Sequence, residues 1–207
     1  MAIITISRYS ATGGRKLGRL LAKKLDYQYV DKSLFQKIAV DLNVSERTLD
    51  SFEKSREYRI SNTFSRLFSK SYVDRIVGHD KSVVEEVEYQ TSLKKLILAV
   101  AQEDNVVIIG RAANFFLKEY ENCYCFHLAA PMDWRKKYAV QKLGMPQDNV
   151  QEILEKRDKN RLWFLHSICG RDFNDLVWSH LTLNMSYIPI KKVVDVIVSA
   201  VNLIERA

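Results

Sequence analysis

Ile3-Ile4-Thr5-Ile6-Ser7-Arg8-Tyr9-Ser10-Ala11-Thr12-Gly13-Gly14-Arg15-Lys16-Leu17-Gly18 stands near the start of the chain and decides its architecture. The run Ile3 to Ile6 is β-branched throughout and apolar but for Thr5, as suits a buried strand. Past the glycines, Leu17, Leu20, Leu21 and Leu25 recur every three or four residues and draw one apolar stripe on a helix. The stretch reads strand, glycine loop, helix.

That unit repeats along the chain. Val106 to Ile109 ends at Gly110 and leads into a helical pattern through Phe116 and Leu117. Tyr124 to Ala129 stops at Pro131, ahead of a helix from Met132 to Leu143. Leu181 to Met185 precedes Pro189 and a last helix with Val193, Val194, Ile197, Val198, Val201 and Ile204 on its buried side. Apolar strands alternating with amphipathic helices predict an α/β fold whose parallel sheet is covered on both faces. Two stretches break the alternation: Asp31 to Asp80, polar and rich in serine and arginine, and Pro146 to Phe173, a charged helical segment containing Trp163 and Phe164. Both read as insertions over the carboxyl ends of the strands, where an open parallel sheet binds its ligand.

Composition sets the outer limits. The 207 residues include 32 Lys+Arg and 25 Asp+Glu, a formal charge of +7, with 47% hydrophobic residues, which excludes disordered and collagen-like chains and suits one domain. No apolar run approaches the ~20 residues of a membrane helix, and no signal-peptide core opens the chain, so a cytoplasmic location without membrane contact is the expectation. Cys123, Cys125 and Cys169 are odd in number and predict reduced thiols, the first two packed in one strand. With His79, His127, His166 and His180 they form no metal-ligand spacing, so no protein-held metal is expected. The positive charge suits a phosphorylated small ligand, with nucleic acid the weaker reading. Arg56 to Arg75, interleaved with Tyr58, Phe64, Phe68 and Tyr72, suits RNA, an acceptor nucleotide or simply a packed amphipathic helix. Oligomeric state stays open.

A glycine loop between strand and helix aims backbone N–H groups and the helix dipole at one point, the usual physical basis of phosphate binding. Gly13 and Gly14 allow close backbone approach, Arg15 and Lys16 supply charge, and Ser10 and Thr12 offer hydroxyls. The same residues also suit a tight turn with solvated cations, because the full pattern of Gly, four residues, Gly-Lys-Ser/Thr is absent. Arg111, directly after Gly110, is either an anion-binding residue or a strand-end salt bridge; Asp31 is either a ligand contact or a helix N-cap. Arg157 and Arg161, four apart, share a helix face that either meets a phosphoryl group or is solvated, as the pairs Glu152/Lys156 and Glu155/Lys159 suggest.

Ile4-Thr5-Ile6-Ser7-Arg8, Gly13-Gly14-Arg15, Tyr29-Val30-Asp31-Lys32, Ile109-Gly110-Arg111-Ala112 and Ala130-Pro131 with Trp134-Arg135 together resemble the cytidylate-kinase-like branch of the P-loop nucleoside monophosphate (NMP) kinases. The resemblance runs through essentially the whole chain. It implies a single P-loop kinase domain over residues 1–207: a three-layer P-loop NTPase fold with a five-stranded parallel sheet, a helical NMP-binding insertion at 31–80 and a helical lid at 146–173. It implies ATP with Mg2+, bound through Ser10, Thr12, Gly13, Gly14, Arg15 and Lys16. Asp31, Arg111 and Arg135 become the acceptor side, and Arg15, Arg157 and Arg161 the cations of transfer. CMP or dCMP is the implied acceptor, and a nucleotide-binding protein without phosphotransfer is the alternative. The loop departs from the family pattern: Gly14 stands where lysine is expected and Arg15 where the hydroxyl is expected, or, one register on, Arg15 and Lys16 take those places, while Arg8 or Tyr9 replaces the first glycine. At Ala112, cytidylate kinases proper carry an aspartate that contacts the nucleotide.

Overall fold

The computed structural model describes residues 2–32, 81–170 and 172–204, with side chains from residue 90 onward in the second segment. The insertion expected at 31–80, Asp31 and Lys32 apart, lies outside the described residues, as do the Arg56 to Arg75 stretch and Arg171. Five strands, β1 (Ile3–Arg8), β2 (Gln28–Val30), β3 (Val106–Ile109), β4 (Cys123–Ala129) and β5 (Leu181–Asn184), form one sheet in the order β2-β3-β1-β4-β5. Every neighbouring pair is parallel. The helices are α1 (Gly14–Leu25), α2 (Lys81–Gln102), α3 (Ala113–Phe116), α4 (Met132–Leu143), α5 (Val150–Cys169) and α6 (Ile190–Leu203).

Alternation along each strand divides the apolar side chains between two faces. Ile4, Ile6, Val107, Ile109, Phe126, Leu128 and Leu183 gather with Leu17 and Leu21 of α1 and Val193, Val194 and Ile197 of α6. Ile3, Val106, Ile108, Cys123 and Cys125 gather with Leu93, Leu96 and Ile97 of α2 and with Phe164, Leu165 and Ile168 of α5. The sheet is therefore the middle of three layers, as expected of strands that are apolar on both faces. Leu17 and Leu21 are fully buried, which stabilises the fold by about 1.5–3 kcal/mol each. All three thiols are free.

β1 is central, between β3 and β4, and the glycine loop leaves its carboxyl end. The helix predicted after Gly110 is only one turn long. Gly110, Arg111 and Ala112 hold φ of +75°, +63° and +54°, and a left-handed run of that kind cannot belong to a right-handed helix. β5 ends at Asn184, and Met185 adds one further backbone bond, 2.8 Å to the Ala129 carbonyl.

Gly18 brings α1 close to the sheet: a Cβ there would stand 2.5 Å from Ile109 Cδ1 and 2.9 Å from Tyr29 Cε2. Gly18→Val is predicted to destabilise the protein by about 1–3 kcal/mol through overpacking, read as a lower midpoint of thermal or urea unfolding.

Candidate phosphate-binding site

Tyr9 to Gly13 form the loop between β1 and α1. Gly13 has φ +81°, so a residue without Cβ relieves strain at the turn, and it caps α1 without a side-chain hydrogen bond. Among the described residues no side chain caps the first amides of α1. The Thr12 hydroxyl donates to the Tyr9 carbonyl at 2.9 Å and braces the loop from inside. Arg15 and Lys16 are exposed in the first turn of α1, where their charge adds to the positive end of the helix.

Two carboxylates tie α5 and the segment after it to this loop and to the end of β1. Asp158 accepts the Ser10 amide at 2.8 Å through Oδ1 and Arg135 Nη1 at 2.5 Å through Oδ2. Arg135, on α4 and only 7% exposed, also donates to the Ser10 carbonyl at 3.3 Å. Asp175 is buried against Arg161, with which it forms an ion pair, and accepts the Ser7 hydroxyl at 2.6 Å. Arg161 Nη2 donates to Ser7 Oγ at 2.7 Å. The guanidinium groups of Arg135 and Arg161 lie 5.3 and 5.7 Å from the Tyr9 ring centroid, so one aromatic ring carries two cations.

His127 faces Ser7 across β1 and β4, with Nδ1 3.4 Å from Asp175 Oδ2. The Asp175 charge is already neutralised by Arg161, and burial together with Arg161 pulls the His127 pKa down to about 4. The imidazole is neutral at neutral pH.

At the neighbouring strand ends, Arg111 is 8% exposed and Asp31 6% exposed, the latter accepting the Tyr29 hydroxyl at 3.1 Å. Burial, then the charge of Asp31 and its hydrogen bond, raise the Tyr29 pKa to about 12. Arg8, the last residue of β1, runs its stem past Gly14 and its guanidinium over Gly110: a Cβ on Gly14 would meet Arg8 Cγ at 3.1 Å, and one on Gly110 would collide with Arg8 Nη1. Desolvation, then Arg161 and Arg15, lower the Arg8 pKa to about 10, so it remains a cation.

The carboxyl end of the sheet thus carries Ser10, Thr12, Gly13, Gly14, Arg15 and Lys16 on one loop, Asp31 after β2, Arg111 after β3, Arg135 on α4 and Arg161 on α5. Arg157 departs from its helix neighbour. It is exposed, with Nη1 3.7 Å from Met145 Sδ, because its side chain follows α5 toward solvent where that of Arg161 is drawn in by Asp175. Sequence reasoning missed Arg8, Ser7, His127 and Asp175 as members of this cluster. Arg8 had a signal, being a cation where the loop pattern has glycine; Asp175, 168 positions from Ser7, had none.

The profile of the cytidylate kinase-like family matches residues 3–187. No curated protein matches the chain. Among solved structures, an uncharacterized protein from Eubacterium ventriosum superposes with a TM-score of 0.68 at 16% identity, over 99% of this chain and 100% of its own. Shikimate kinase from Bacteroides thetaiotaomicron gives 0.55 at 15% identity, over 98% and 99% of the two chains. Shikimate kinase from Acinetobacter baumannii, in complex with shikimate, gives 0.52 at 12% identity, over 99% and 96%. At these identities the likeness is one of fold, that of the P-loop kinases. Among the described residues no helix is long and apolar enough to cross a membrane.

The depressed His127 pKa makes stability depend on pH. The unfolded chain binds a proton near pH 6.5 that the folded protein refuses until about pH 4, so stability falls as pH drops through that window. The expected loss is up to about 3 kcal/mol. Unfolding midpoints measured from pH 7 to pH 4 should fall for the wild type and flatten in His127→Gln.

Proposed function

Because the chain belongs to the cytidylate kinase-like family, we propose that it is an ATP-dependent kinase whose acceptor is a nucleoside monophosphate, CMP or dCMP being the first to try. Family and fold together support phosphotransfer. The nucleotide acceptor is our reading, and the observation that carries it is the convergence of Arg15, Arg111, Arg135 and Arg161 on one end of the sheet, above the loop that follows β1. Phosphoryl transfer asks little covalent chemistry of a protein; it asks that donor and acceptor be held in line while the charge on the moving group is neutralised.

On this reading the amides of Gly13 and Gly14 and the side chains of Arg15 and Lys16 hold the polyphosphate of ATP. Arg111 binds the phosphate of the acceptor and Asp31 its sugar or base. Arg161 and Arg157, on α5, belong to a lid over residues 146–173 that excludes water and brings charge to the transferred group. Residues 31–80 are the acceptor-binding insertion. The site fits a metal carried in on the polyphosphate: hard oxygen donors are at hand, and with the Thr12 hydroxyl committed to Tyr9, Ser10 is the loop hydroxyl left to meet it. Mg2+ there supplies further neutralisation of the β- and γ-phosphate oxygens.

A second reading, nucleotide binding without phosphotransfer, draws on the loop itself, where Gly14 and Arg15 take the places of the usual lysine and hydroxyl. ADP release measured over a panel of nucleoside monophosphates with ATP and Mg2+ separates the two. Turnover of CMP or dCMP supports the kinase; calorimetric ATP binding with no turnover of any acceptor leaves the second reading. Under the first, Arg15→Ala raises KM for ATP and Arg111→Ala raises KM for the acceptor. Arg161→Ala and Arg157→Ala lower kcat more than they weaken binding, Arg161→Ala by about 10²–10³-fold.

A further inference from the structure

We propose that Arg8 is the phosphate-gripping cation of the site, supplying from the end of β1 the positive charge that a phosphate-binding loop ordinarily takes from a lysine at the position of Gly14. This inference rests on the kinase reading and adds to it a residue that the reading does not need.

Three independent features converge on Arg8. The first is space. With Gly13 as the second loop glycine, the lysine position is Gly14, which has no side chain, and the volume a Cβ would enter is lined by the stem of Arg8, Cγ at 3.1 Å and Cδ at 3.4 Å. One side chain is missing and another passes through its place. The second is reach. The guanidinium lies against Gly110, which itself donates its amide to the Ile6 carbonyl at 3.0 Å and opens the left-handed turn that carries Arg111. Arg8 therefore spans from the donor loop to the acceptor turn, the interval a transferred phosphoryl group must cross.

The third feature is charge. Desolvation, then the repelling neighbours Arg161 and Arg15, disfavour the Arg8 cation, and Tyr29 and Asp31 favour it to a smaller extent. Arg161 has Asp175 and Arg135 has Asp158, whereas the Arg8 side chain makes no hydrogen bond or ion pair among the described residues. A desolvated guanidinium facing other cations is unfavourable in the empty protein and favourable once an oxyanion arrives. Its planar fork matches two oxygens of one phosphoryl group, a geometry that a lysine does not offer.

The test uses Arg8→Met, which keeps the stem beside Gly14 and removes the charge. Thermal unfolding is followed with no ligand, with adenosine, with ATP·Mg2+ and with inorganic tripolyphosphate, and ATP affinity is measured by calorimetry. The expected result is an unliganded midpoint equal to or above that of the wild type, since repulsion is relieved, together with loss of the tripolyphosphate shift and an ATP Kd raised at least about tenfold. A purely structural role for Arg8 predicts the reverse, a lower unliganded midpoint with intact response to tripolyphosphate, and overturns the assignment. If Arg8→Met does not fold, Arg8→Gln decides: an ATP Kd raised at least about tenfold supports the assignment, and an unchanged Kd overturns it. A wild-type protein that responds to none of these phosphates removes the kinase reading itself. A wild type that responds, with a variant responding equally, removes only Arg8.

Discussion

Asp158 joins the two halves of the candidate site. One carboxylate oxygen takes the Ser10 amide and the other takes Arg135, so the loop after β1, helix α4 and helix α5 meet at a single side chain. Without it the mostly buried Arg135 would hold an uncompensated charge, and a pair broken that way costs about 3–5 kcal/mol. The position of α5 over the loop, and with it that of Arg161, follows from this contact. Arg161 then finds Asp175 and Ser7, and the end of β1 is covered on that side.

The region concentrates positive charge at one end of the sheet. Arg161 and Arg15 repel Arg8, Asp31 and Tyr29 offset this in part, and the carboxylates Asp158 and Asp175 pair with Arg135 and Arg161. The left-handed residues Arg111 and Ala112 add backbone cost at the adjacent turn, of order 1–2 kcal/mol each. Such costs are borne by the packed layers beneath, where Ile3, Ile4, Ile6, Leu17 and Leu21 are fully buried. Stability and site are thus drawn from opposite ends of the same strand: β1 is apolar through Ile6 but for the buried Thr5, and polar from Ser7.

How much of this was legible beforehand depended on range. Four of the strands, α1, α4 and α6 could be read because apolar periodicity is a local property: Leu17, Leu20 and Leu21 announce a helix face whatever they pack against, whereas the short β2, Gln28–Val30, has no apolar run. The loop could be read because Gly13 and Gly14 sit between a strand and a helix. The short α3 could not, since nothing in Arg111 or Ala112 betrays a positive φ. Neither could the partners of the cations, because an ion pair between Arg161 and Asp175, or a hydrogen bond between Ser7 and Asp175, leaves no periodic trace. Arg157 and Arg161 show the limit of helical spacing: four residues align two Cα positions, and neighbours then decide where each side chain goes.

The strand order has one more effect. Its longest members, β4 and β1, are interior, while the margins fall to β2 with three residues and β5 with four. A short margin offers another copy few unpaired amides and carbonyls, and an incoming strand little register to lock onto. The arrangement that sets the glycine loop at the centre therefore also guards the protein against edge-to-edge aggregation.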